Sequence, residues 1–285
     1  MSGKIDNIKN IIVSTHDSLY PIKGGGALRT LNVACEFKNR GHHVIIIAPT
    51  DGTRELNGMK VFWLHPPRKQ RSQILSALKF NVRLLIKFLK FIKDNDLLFI
   101  HNTIAAISLP FLKRIFKFRF ILDITDMHAE YLSVGKRNIF EKILAPYLLK
   151  YEYLIIKSAD FITVATKAMK ELLILKDINQ DKIEVVYDGV DKEDISQDKE
   201  KDAEFGIIHL GAIDRQHGVE LIVEAIPAVI KESPQAKFYF VGGGRELLNI
   251  KKLAKELDII NSCVFTDFLP CNEARGFLKK VTIGI

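Results

Sequence analysis

The sequence predicts an α/β fold made of two Rossmann-like, doubly wound domains with parallel sheets, and three observations carry this prediction. Strand-like apolar runs alternate with helical patterns along most of the chain, which is typical of parallel strands covered by helices. Residues 188–204 (DGVDKEDISQDKEKDAE) interrupt the alternation with dense charge and few apolar side chains. The same alternation then restarts. We therefore expect one domain over residues 1–187, a charged linker over 188–204, and a partial second domain over 205–285.

The opening stretch, Ile11 to Ala48, sets the pattern for the first domain. An apolar run at Ile11–Val13 leads into a loop that ends in Gly24-Gly25-Gly26, and a helix over Ala27–Arg40 precedes a second strand at Val44–Ala48. In such a unit, ligands bind at the carboxyl ends of the strands, and the helix N-terminus behind the glycines favours an anion. The alternative is a tight turn without a ligand.

The remaining elements follow in order. In the first domain we expect strands at 60–64, 97–100, 118–123, 160–164 and 182–186, and helices at 72–93, 104–116, 136–157 and 166–175. In the second domain we expect strands at 206–210, 236–241, 262–265 and 281–285, and helices at 219–230, 246–257 and 273–279. The second sheet reaches its fourth strand at the last residue, whereas a doubly wound sheet usually has about five or six. We therefore expect a shortened form of a longer protein, and a partner that completes the sheet is the alternative.

Composition and charge restrict the partners. The 285 residues are 47% hydrophobic and 27% charged, with a formal net charge of +8, which suits a globular protein with an anionic partner. A nucleotide or an anionic membrane surface fits, but nucleic acid is not expected, because no helix-turn-helix, zinc-finger or RNP-like pattern occurs. With no signal-peptide layout and no uncharged run of about 18 residues, we expect a cytoplasmic protein. Three scattered cysteines indicate reduced thiols, and no residues have metal-site spacing.

The helix expected at Ser72–Lys93 is amphipathic and basic. At about 100° per residue, one apolar stripe contains Leu78, Val82, Leu85, Leu89 and Ile92, widened by Phe80, Leu84, Phe88 and Phe91. The opposite arc carries Lys79, Arg83, Lys87 and Lys90. A broad apolar face beside basic residues suits an anionic membrane surface, so these four are the expected membrane-facing residues. The alternative is an ordinary sheet-covering helix with a solvated face.

Polar side chains follow two of the expected strands at their carboxyl ends. His101 follows one apolar run, and Asp126, His128 and Glu130 follow the next one along the chain. Open parallel sheets keep their chemistry at these ends. As catalytic residues, Asp126 and His128 could position or polarise an acceptor hydroxyl, with His101 and Glu130 on the acceptor side. The alternatives are a helix N-cap for Asp126 and a surface position for His128.

A second glycine loop opens the second domain. The apolar strand at 206–210 runs into Gly211–Gly218, which contains Arg215, and Gly242-Gly243-Gly244 follows the next strand. A guanidinium suits a diphosphate because it can form two parallel hydrogen bonds to phosphate oxygens. The alternative for Arg215 is a surface position without a ligand. Two glycine loops, one in each domain, predict a ligand site with two sides.

Several motifs, taken in order, resemble the family 4 type of GT-B glycosyltransferases. The first glycine loop and its spacing to Gly41-His42-His43-Val44 resemble the first domain of that family. Residues 159–164 (ADFITV) and 182–191 (KIEVVYDGVD) are similar to its signature, with Asp188 in place of the usual Asn. In the second half, the family's order is followed by residues 217–220 (HGVE), 238–244 (FYFVGGG) and 264–270 (VFTDFLP).

The resemblance implies a retaining glycosyltransferase that moves a sugar from a nucleotide-sugar donor to a lipid-linked or polysaccharide acceptor in cell-surface glycan synthesis. It implies no cofactor and no metal, and a place in the cytoplasm or on the inner face of the membrane. In the family, first-domain glycines approach the donor phosphates, and cations of the second-domain loop neutralise the leaving diphosphate. The donor-binding residues implied here are Gly25, Gly26, Gly211, Arg215, His217, Gly218, Gly243 and Phe268.

Three departures from the family pattern affect the expected activity. Where the family often has a first-domain histidine, this chain has Ile124-Thr125-Asp126, and His128 two residues further on is the candidate substitute. The family's Gly-Arg and Lys-Gly pairs are Gly211-Ala212 and His217-Gly218 here, so Arg215 is expected to supply the missing cation. The family's Glu-x7-Glu pair, which holds the donor sugar, would lie beyond Ile285, so weak donor binding is expected. Two other functions stay open: a nucleotide-sugar epimerase of the same fold, and a non-catalytic fragment that binds nucleotide sugars.

Overall fold

The computed structural model describes residues 10–22, 24–65, 73–93, 97–128, 139–189, 205–279 and 281–285. The chain divides into two compact units, Met1–Gly189 and Val190–Ile285, each with its own sheet and hydrophobic core. Residues 190–204, most of the expected linker, lie outside the described residues. Two sheets of parallel strands, each covered by helices, confirm the predicted fold class.

The first unit is built on a sheet that has eight strands within the described residues. These are β1 (Asn10–Thr15), β2 (His43–Pro49), β3 (Glu55–Leu56), β4 (Met59–Leu64), β5 (Leu97–His101), β6 (Arg119–Ile124), β7 (Phe161–Val164) and β8 (Ile183–Val185). They lie in the order β3-β4-β2-β1-β5-β6-β7-β8, and every neighbouring pair is parallel except β3 with β4. From β1 the chain continues to β2 on one side and later to β5 on the other, so a crevice opens at the carboxyl ends of β1 and β5.

Helices cover both faces of this sheet. On one face, α1 (Gly25–Asn39) buries Ala27, Leu31 and Ala34 in a core shared with Ile11 and Val13 of β1. Ile12 of β1 points to the opposite core. That second core is covered by α2 (Gln73–Phe91), α3 (Leu109–Leu112), α4 (Ile139–Ser158) and α5 (Lys167–Leu175). Because β1 and β5 are buried on both faces, they contain the continuous apolar runs Ile11–Val13 and Leu97–Ile100.

The prediction of a single helix over residues 104–116 is wrong. The chain instead forms a 3₁₀ turn at Thr103–Ala106 and then the short helix α3. Pro110 lies in the first turn of α3. Proline lacks a backbone N–H, and its ring clashes with the carbonyl one turn earlier, so one continuous helix cannot pass through this position.

The broad apolar face predicted for α2 is divided between the core and the surface. The buried side chains are Phe80, Leu84, Phe88 and Ile92, whereas Leu78, Val82 and Leu89 of the predicted stripe are 52%, 58% and 50% exposed. The helix turns its aromatic ridge inward, because Phe80 and Phe88 remove more apolar area from water than leucine or valine would. Lys79, Arg83 and Lys90 are exposed as expected, and Lys87 is half-buried. Apolar and basic side chains are therefore mixed on the outer face of α2.

The second unit has a parallel sheet with four strands among the described residues, in the order β11-β10-β9-β12. Its elements are β9 (Gly206–Leu210), α6 (Val219–Glu232), β10 (Lys237–Val241), α7 (Leu247–Glu256), β11 (Cys263–Asp267), α8 (Cys271–Gly276) and β12 (Ile283–Gly284). The core packs Val223 and Ile226 of α6 and Ile250 of α7 against Phe238 and Phe240 of β10. Because the strand order reverses between β9 and β12, the carboxyl end of β9 is again where an open sheet binds ligands.

Candidate functional site

A row of polar side chains crosses the carboxyl edge of the first sheet. The strand register pairs Thr15 with His101, His101 with Asp123, and Asp123 with Thr163. Residues that are paired across neighbouring strands share one face of a sheet, so these four side chains lie side by side. Thr15, His101 and Asp123 are completely buried. The register thus builds a polar network from strands that are otherwise apolar.

Asp123 is the centre of this network. Arg29 of α1 forms two parallel hydrogen bonds to its carboxylate, from Nε to Oδ2 and from Nη2 to Oδ1, each 2.8 Å long. Nδ1 of His101 lies 2.8 Å from Oδ2, and the Thr163 hydroxyl donates to Oδ1 at 2.6 Å. Burial alone would raise the pKa of Asp123, but the hydrogen bonds from Arg29, His101 and Thr163 outweigh it and lower the pKa to about 2. Asp123 is therefore a buried, charged carboxylate at neutral pH.

Arg29 links this network to the last residues of the first unit. Its Nη1 donates to Oδ1 of Asp188 at 2.8 Å; the Arg29 side chain is 8% exposed and that of Asp188 is 70% exposed. The hydrogen bonds to Asp123 raise the pKa of Arg29 above its ordinary value despite its burial. One guanidinium therefore joins two carboxylates, of which only Asp123 is shielded from water.

Gly26, in the first turn of α1, lies directly against the network. A Cβ at this position would come within 2.6 Å of Oδ2 of Asp17 and 2.7 Å of Nε2 of His101. A Cβ at Gly24 or Gly25 would meet only open space. Among the three loop glycines, Gly26 is thus the one whose backbone lies too close to neighbouring side chains to carry a Cβ.

Four titratable residues meet beyond the carboxyl ends of β1 and β6. His16 and Asp17 follow β1, and Asp126 and His128 follow β6. The rings of His16 and His128 pack edge to face with centroids 5.1 Å apart, and Nε2 of His16 lies 3.6 Å from Oδ1 of Asp17. Burial lowers the pKa of both rings, that of His128 to about 4. Both imidazoles are therefore neutral at pH 7 and suited to hydrogen bonds with a hydroxyl group.

Two buried side chains support the segment that carries Asp126 and His128. Glu152 of α4 accepts a hydrogen bond from the His128 backbone N–H at 3.1 Å. It accepts another from the hydroxyl of Thr103, two residues after the end of β5. Asn102, the residue after β5, accepts a hydrogen bond from the Thr125 backbone N–H at 3.1 Å. The predicted catalytic pair is therefore held from two neighbouring elements of the same unit.

The two residues expected on the acceptor side have different outcomes. His101 is completely buried, with Nδ1 directed at Asp123 and Nε2 lying 3.1 Å from Nδ2 of Asn102. Both ring nitrogens of His101 thus face other side chains of the network, and its place on the acceptor side stays a prediction. Glu130 lies outside the described residues.

In the second unit, the loop after β9 (Gly211–Gly218) and the glycine loop after β10 (Gly242-Gly243-Gly244) pack backbone against backbone. The Ile213 N–H donates to the Gly243 carbonyl at 3.0 Å, and the Gly211 N–H donates to the Val241 carbonyl at 3.0 Å. Gly242 has a φ of 138°, and a Cβ there would overlap the Gly211 carbonyl. Only glycine combines that φ with so close an approach, so the loops after β9 and β10 form one surface.

Of the residues expected to bind the donor, those of the second unit lie on loops at the carboxyl ends of β9, β10 and β11, whereas Gly25 and Gly26 begin α1 of the first unit. Arg215 and His217 are exposed on a 3₁₀ turn, and Gly218 begins α6 with a left-handed φ of 65°. Phe268, which follows β11, is 58% exposed, and its ring would lie 2.7 Å from a Cβ at Gly243. The loops thus place a cation, glycines and an aromatic ring at one edge of the second sheet.

Metal sites and membrane spans are both absent from the described residues. No group of three or more His, Cys, Asp or Glu side chains in the described ranges could hold a metal ion. No helix in the part of the chain that the structure describes is both long and apolar enough to cross a bilayer.

Two units, each with a sheet of mainly parallel strands covered by helices, have the fold of GT-B glycosyltransferases. Comparison with known proteins agrees at the level of the family. The Glycosyltransferase Family 4 model matches residues 23–194, more than half of the chain, and the Glycosyl transferases group 1 model matches residues 191–283. The chain belongs to Glycosyltransferase Family 4.

Individual relatives are distant. An uncharacterized glycosyltransferase of Methanocaldococcus jannaschii, MJ1069, is 27% identical over 172 residues, which are 54% of this chain and 43% of that protein. The chain thus spans less than half the length of the curated relatives it matches. Sucrose-phosphate synthase from Thermosynechococcus elongatus is similar in structure, with a TM-score of 0.75 and 15% identity over 97% of this chain and 74% of that one. Anabaena Alr3699/HepE in complex with UDP-glucose has a TM-score of 0.66 and 14% identity over 95% of this chain and 72% of that one.

Proposed function

We propose that the protein is a retaining glycosyltransferase that moves a sugar from a nucleotide-sugar donor to a lipid-linked or polysaccharide acceptor in cell-surface glycan synthesis. The observation that carries the proposal is the cluster of His16, Asp17, Asp126 and His128 at the carboxyl ends of β1 and β6. Two neutral imidazoles beside two carboxylates can orient a sugar hydroxyl by hydrogen bonds. They can also partly accept the proton of that hydroxyl as it reacts. Membership of Glycosyltransferase Family 4 supports the same reaction class.

The donor side of the proposal rests on the second unit. Arg215 is exposed on the loop after β9, where its guanidinium could stabilise negative charge that develops on a leaving diphosphate. A similar protein, Anabaena Alr3699/HepE, has been solved in complex with UDP and with UDP-glucose, which supports a nucleotide-sugar donor here. We infer that Phe268 and the backbone at Gly243 contact the nucleotide.

Replacing Arg215 by alanine is expected to weaken donor binding by about tenfold or more, because a charge-assisted hydrogen bond to phosphate contributes about 1.5–3 kcal/mol. Isothermal titration with UDP-, GDP- and ADP-glucose measures the dissociation constants. Lys231→Ala is the matched control, since it removes one positive charge from the opposite end of α6. Unchanged donor affinity in Arg215→Ala would refute the assignment of this residue.

Product analysis tests the reaction itself. Incubation of the protein with the donor that binds and with lipid-linked or polysaccharide acceptors should give a glycoside whose anomeric configuration, read by proton NMR, matches that of the donor. An inverted product would contradict retention. Conversion of the donor sugar into its epimer without any acceptor would favour an epimerase instead.

We also infer that α2 attaches the protein peripherally to an anionic membrane on its cytoplasmic face. The outer side of α2 exposes Leu78, Val82, Ile86 and Leu89 together with basic side chains. Residues 73–93 contain five Lys or Arg and no Asp or Glu, so their charge complements anionic lipid. Apolar side chains can enter the interface while each basic side chain contributes about 1 kcal/mol near the lipid surface.

Replacing Lys79, Arg83 and Lys90 together by glutamine is expected to weaken binding to phosphatidylglycerol-containing vesicles about a hundredfold, from about 1 kcal/mol for each lost charge. Co-sedimentation with vesicles of increasing phosphatidylglycerol content measures this partition. The triple variant with Lys251, Lys252 and Lys255 of α7 replaced by glutamine is the matched control. Equal loss in both triple variants would indicate attraction by net charge alone and would contradict a docking face on α2.

A further inference from the structure

Asn102 has a backbone conformation that asparagine rarely adopts. It follows β5 with φ 63° and ψ 154°, a region that is populated almost only by glycine. Four other described non-glycine residues have positive φ: Asn57, Asp177, Asp258 and Asp267. All four are exposed, whereas Asn102 is buried. A strained conformation in the interior must be maintained by its surroundings.

The side chain of Asn102 joins two strand ends. Its Nδ2 lies 3.1 Å from Nε2 of His101, and its Oδ1 accepts hydrogen bonds from Thr125 N–H at 3.1 Å and from Thr125 Oγ1 at 3.2 Å. The backbone N–H of Asn102 donates to the Asp123 carbonyl at 2.8 Å. These contacts define the tautomer of His101, because a ring that donates from Nδ1 to a carboxylate accepts from Asn102 at Nε2.

Thr125 is the residue that transmits this hold to Asp126. Its backbone N–H donates to Oδ1 of Asn102 at 3.1 Å, which holds the residue just before Asp126. Its Oγ1 lies 3.2 Å from Oδ1 of Asn102 and 3.4 Å from Oδ2 of Asp126, and its single proton can be donated to either acceptor but not to both. A glycine at position 102 would form the same backbone turn without strain, yet it would supply neither of these side-chain contacts. The backbone turn alone therefore does not require asparagine at position 102, whereas the contacts with His101 and Thr125 do.

We propose that Asn102 is a positioning residue for Asp126, and that its strained backbone is retained because its carboxamide can span His101 and Thr125 from that conformation. The inference rests on the proposed function, in which Asp126 meets the acceptor hydroxyl. In this role Asn102, which is buried, acts through Thr125 and not by contact with substrate. It fixes where the carboxylate of Asp126 lies relative to the network of Asp123.

Two variants, Asn102→Gly and Asn102→Ala, test the proposal because both lose the carboxamide but only glycine relieves the strain. The Tm of Asn102→Gly should exceed that of Asn102→Ala by about 2–8 °C. In both variants kcat should fall about ten- to a hundredfold while the KM for the donor stays unchanged, since misplacement of a reacting group by about 1 Å has such an effect. Amide hydrogen exchange at Thr125 should accelerate equally in both.

Asn57→Gly and Asn57→Ala form the control pair, because Asn57 has a φ of 50° in an exposed turn between β3 and β4. They should reproduce the order of the Tm values without changing kcat. Wild-type kcat and wild-type Thr125 exchange in Asn102→Gly would overturn the positioning role, and equal Tm values for the two Asn102 variants would overturn the strain. If the wild-type protein transfers no sugar, the proposed function fails, while Thr125 exchange and Tm still decide whether Asn102 holds this segment.

Discussion

Replacing Asp123 by asparagine is expected to lower the free energy of unfolding of the first unit by about 3 kcal/mol at pH 7. The substitution keeps the shape of the side chain but leaves the guanidinium of Arg29, which is 8% exposed, without its buried counter-charge. Urea denaturation monitored through Trp63, the one tryptophan of the sequence, reports on this unit because Trp63 lies in β4.

Asp160→Asn is the matched control for this prediction. Asp160 also makes an ion pair of 2.8 Å, with Lys113, but the two side chains are 35% and 27% exposed. Pairs that water can reach typically contribute less than about 1 kcal/mol, so this variant should lose little stability. Equal losses of unfolding free energy in the two variants would show that burial does not increase the contribution of the Asp123–Arg29 pair to stability.

The pH dependence of stability provides an independent check. Because the folded pKa of Asp123 is lowered to about 2, its contribution is fully present above its ordinary pKa and is lost as the pH falls from about 4 to about 2. Wild-type protein should therefore lose about 2 kcal/mol more than Asp123→Asn across this range. Parallel curves for the two proteins in urea titrations from about pH 4.5 to about pH 2 would contradict the lowered pKa.

Replacing Gly26 by alanine is expected to reduce transferase activity about a hundredfold. The new methyl group would lie within 2.6 Å of Asp17 and 2.7 Å of His101. His101 cannot retreat, because Asp123 and Asn102 hold both of its ring nitrogens. The glycine loop and the first turn of α1 must therefore move away from His101. Steady-state kinetics with the donor identified by titration measures the loss.

Gly24→Ala serves as the control for the loop. Position 24 has an extended φ of 167° and open space around a Cβ, so the substitution should leave activity and Tm near their wild-type values. If Gly24→Ala and Gly26→Ala lose activity equally, flexibility of the loop would explain the loss and close approach to His101 would not. A crystal structure of Gly26→Ala with an unmoved loop would contradict the same argument directly.

Much of the fold is predictable from local pattern. The alternation of apolar runs and helices reflects the burial of each strand between two helix layers, and the glycine loops after β1, β9 and β10 occur where the sequence places them. The differences arise where tertiary packing overrides a local pattern. Pro110 divides a helix that hydrophobic periodicity joins, and α2 turns Phe80 and Phe88 inward although Leu78 and Val82 fit the helical period equally well.

The site is less predictable than the fold. Asp126 and His128 are predicted from their place after a strand end, and they lie near His16 and Asp17 in the structure, but their catalytic role stays a prediction. Arg29 and Asp123 leave only a weak signal, an arginine in an otherwise ordinary helix and an aspartate inside an apolar strand. Their contact spans 94 positions of sequence and depends on strand order and register, which a single sequence does not encode locally.

The register of β1, β5, β6 and β7 also bears on how the protein reaches its native state. If β6 paired one residue out of step, Asp123 would move to the opposite face of the sheet and lose the contacts with Arg29, His101 and Thr163. An uncompensated carboxylate would then be buried among aliphatic side chains, at a cost of several kcal/mol. Apolar strands alone discriminate poorly between neighbouring registers. The same side chains that assemble the site thus penalise mispaired intermediates, so we expect substitutions in the network to slow folding and promote aggregation as well as reduce activity.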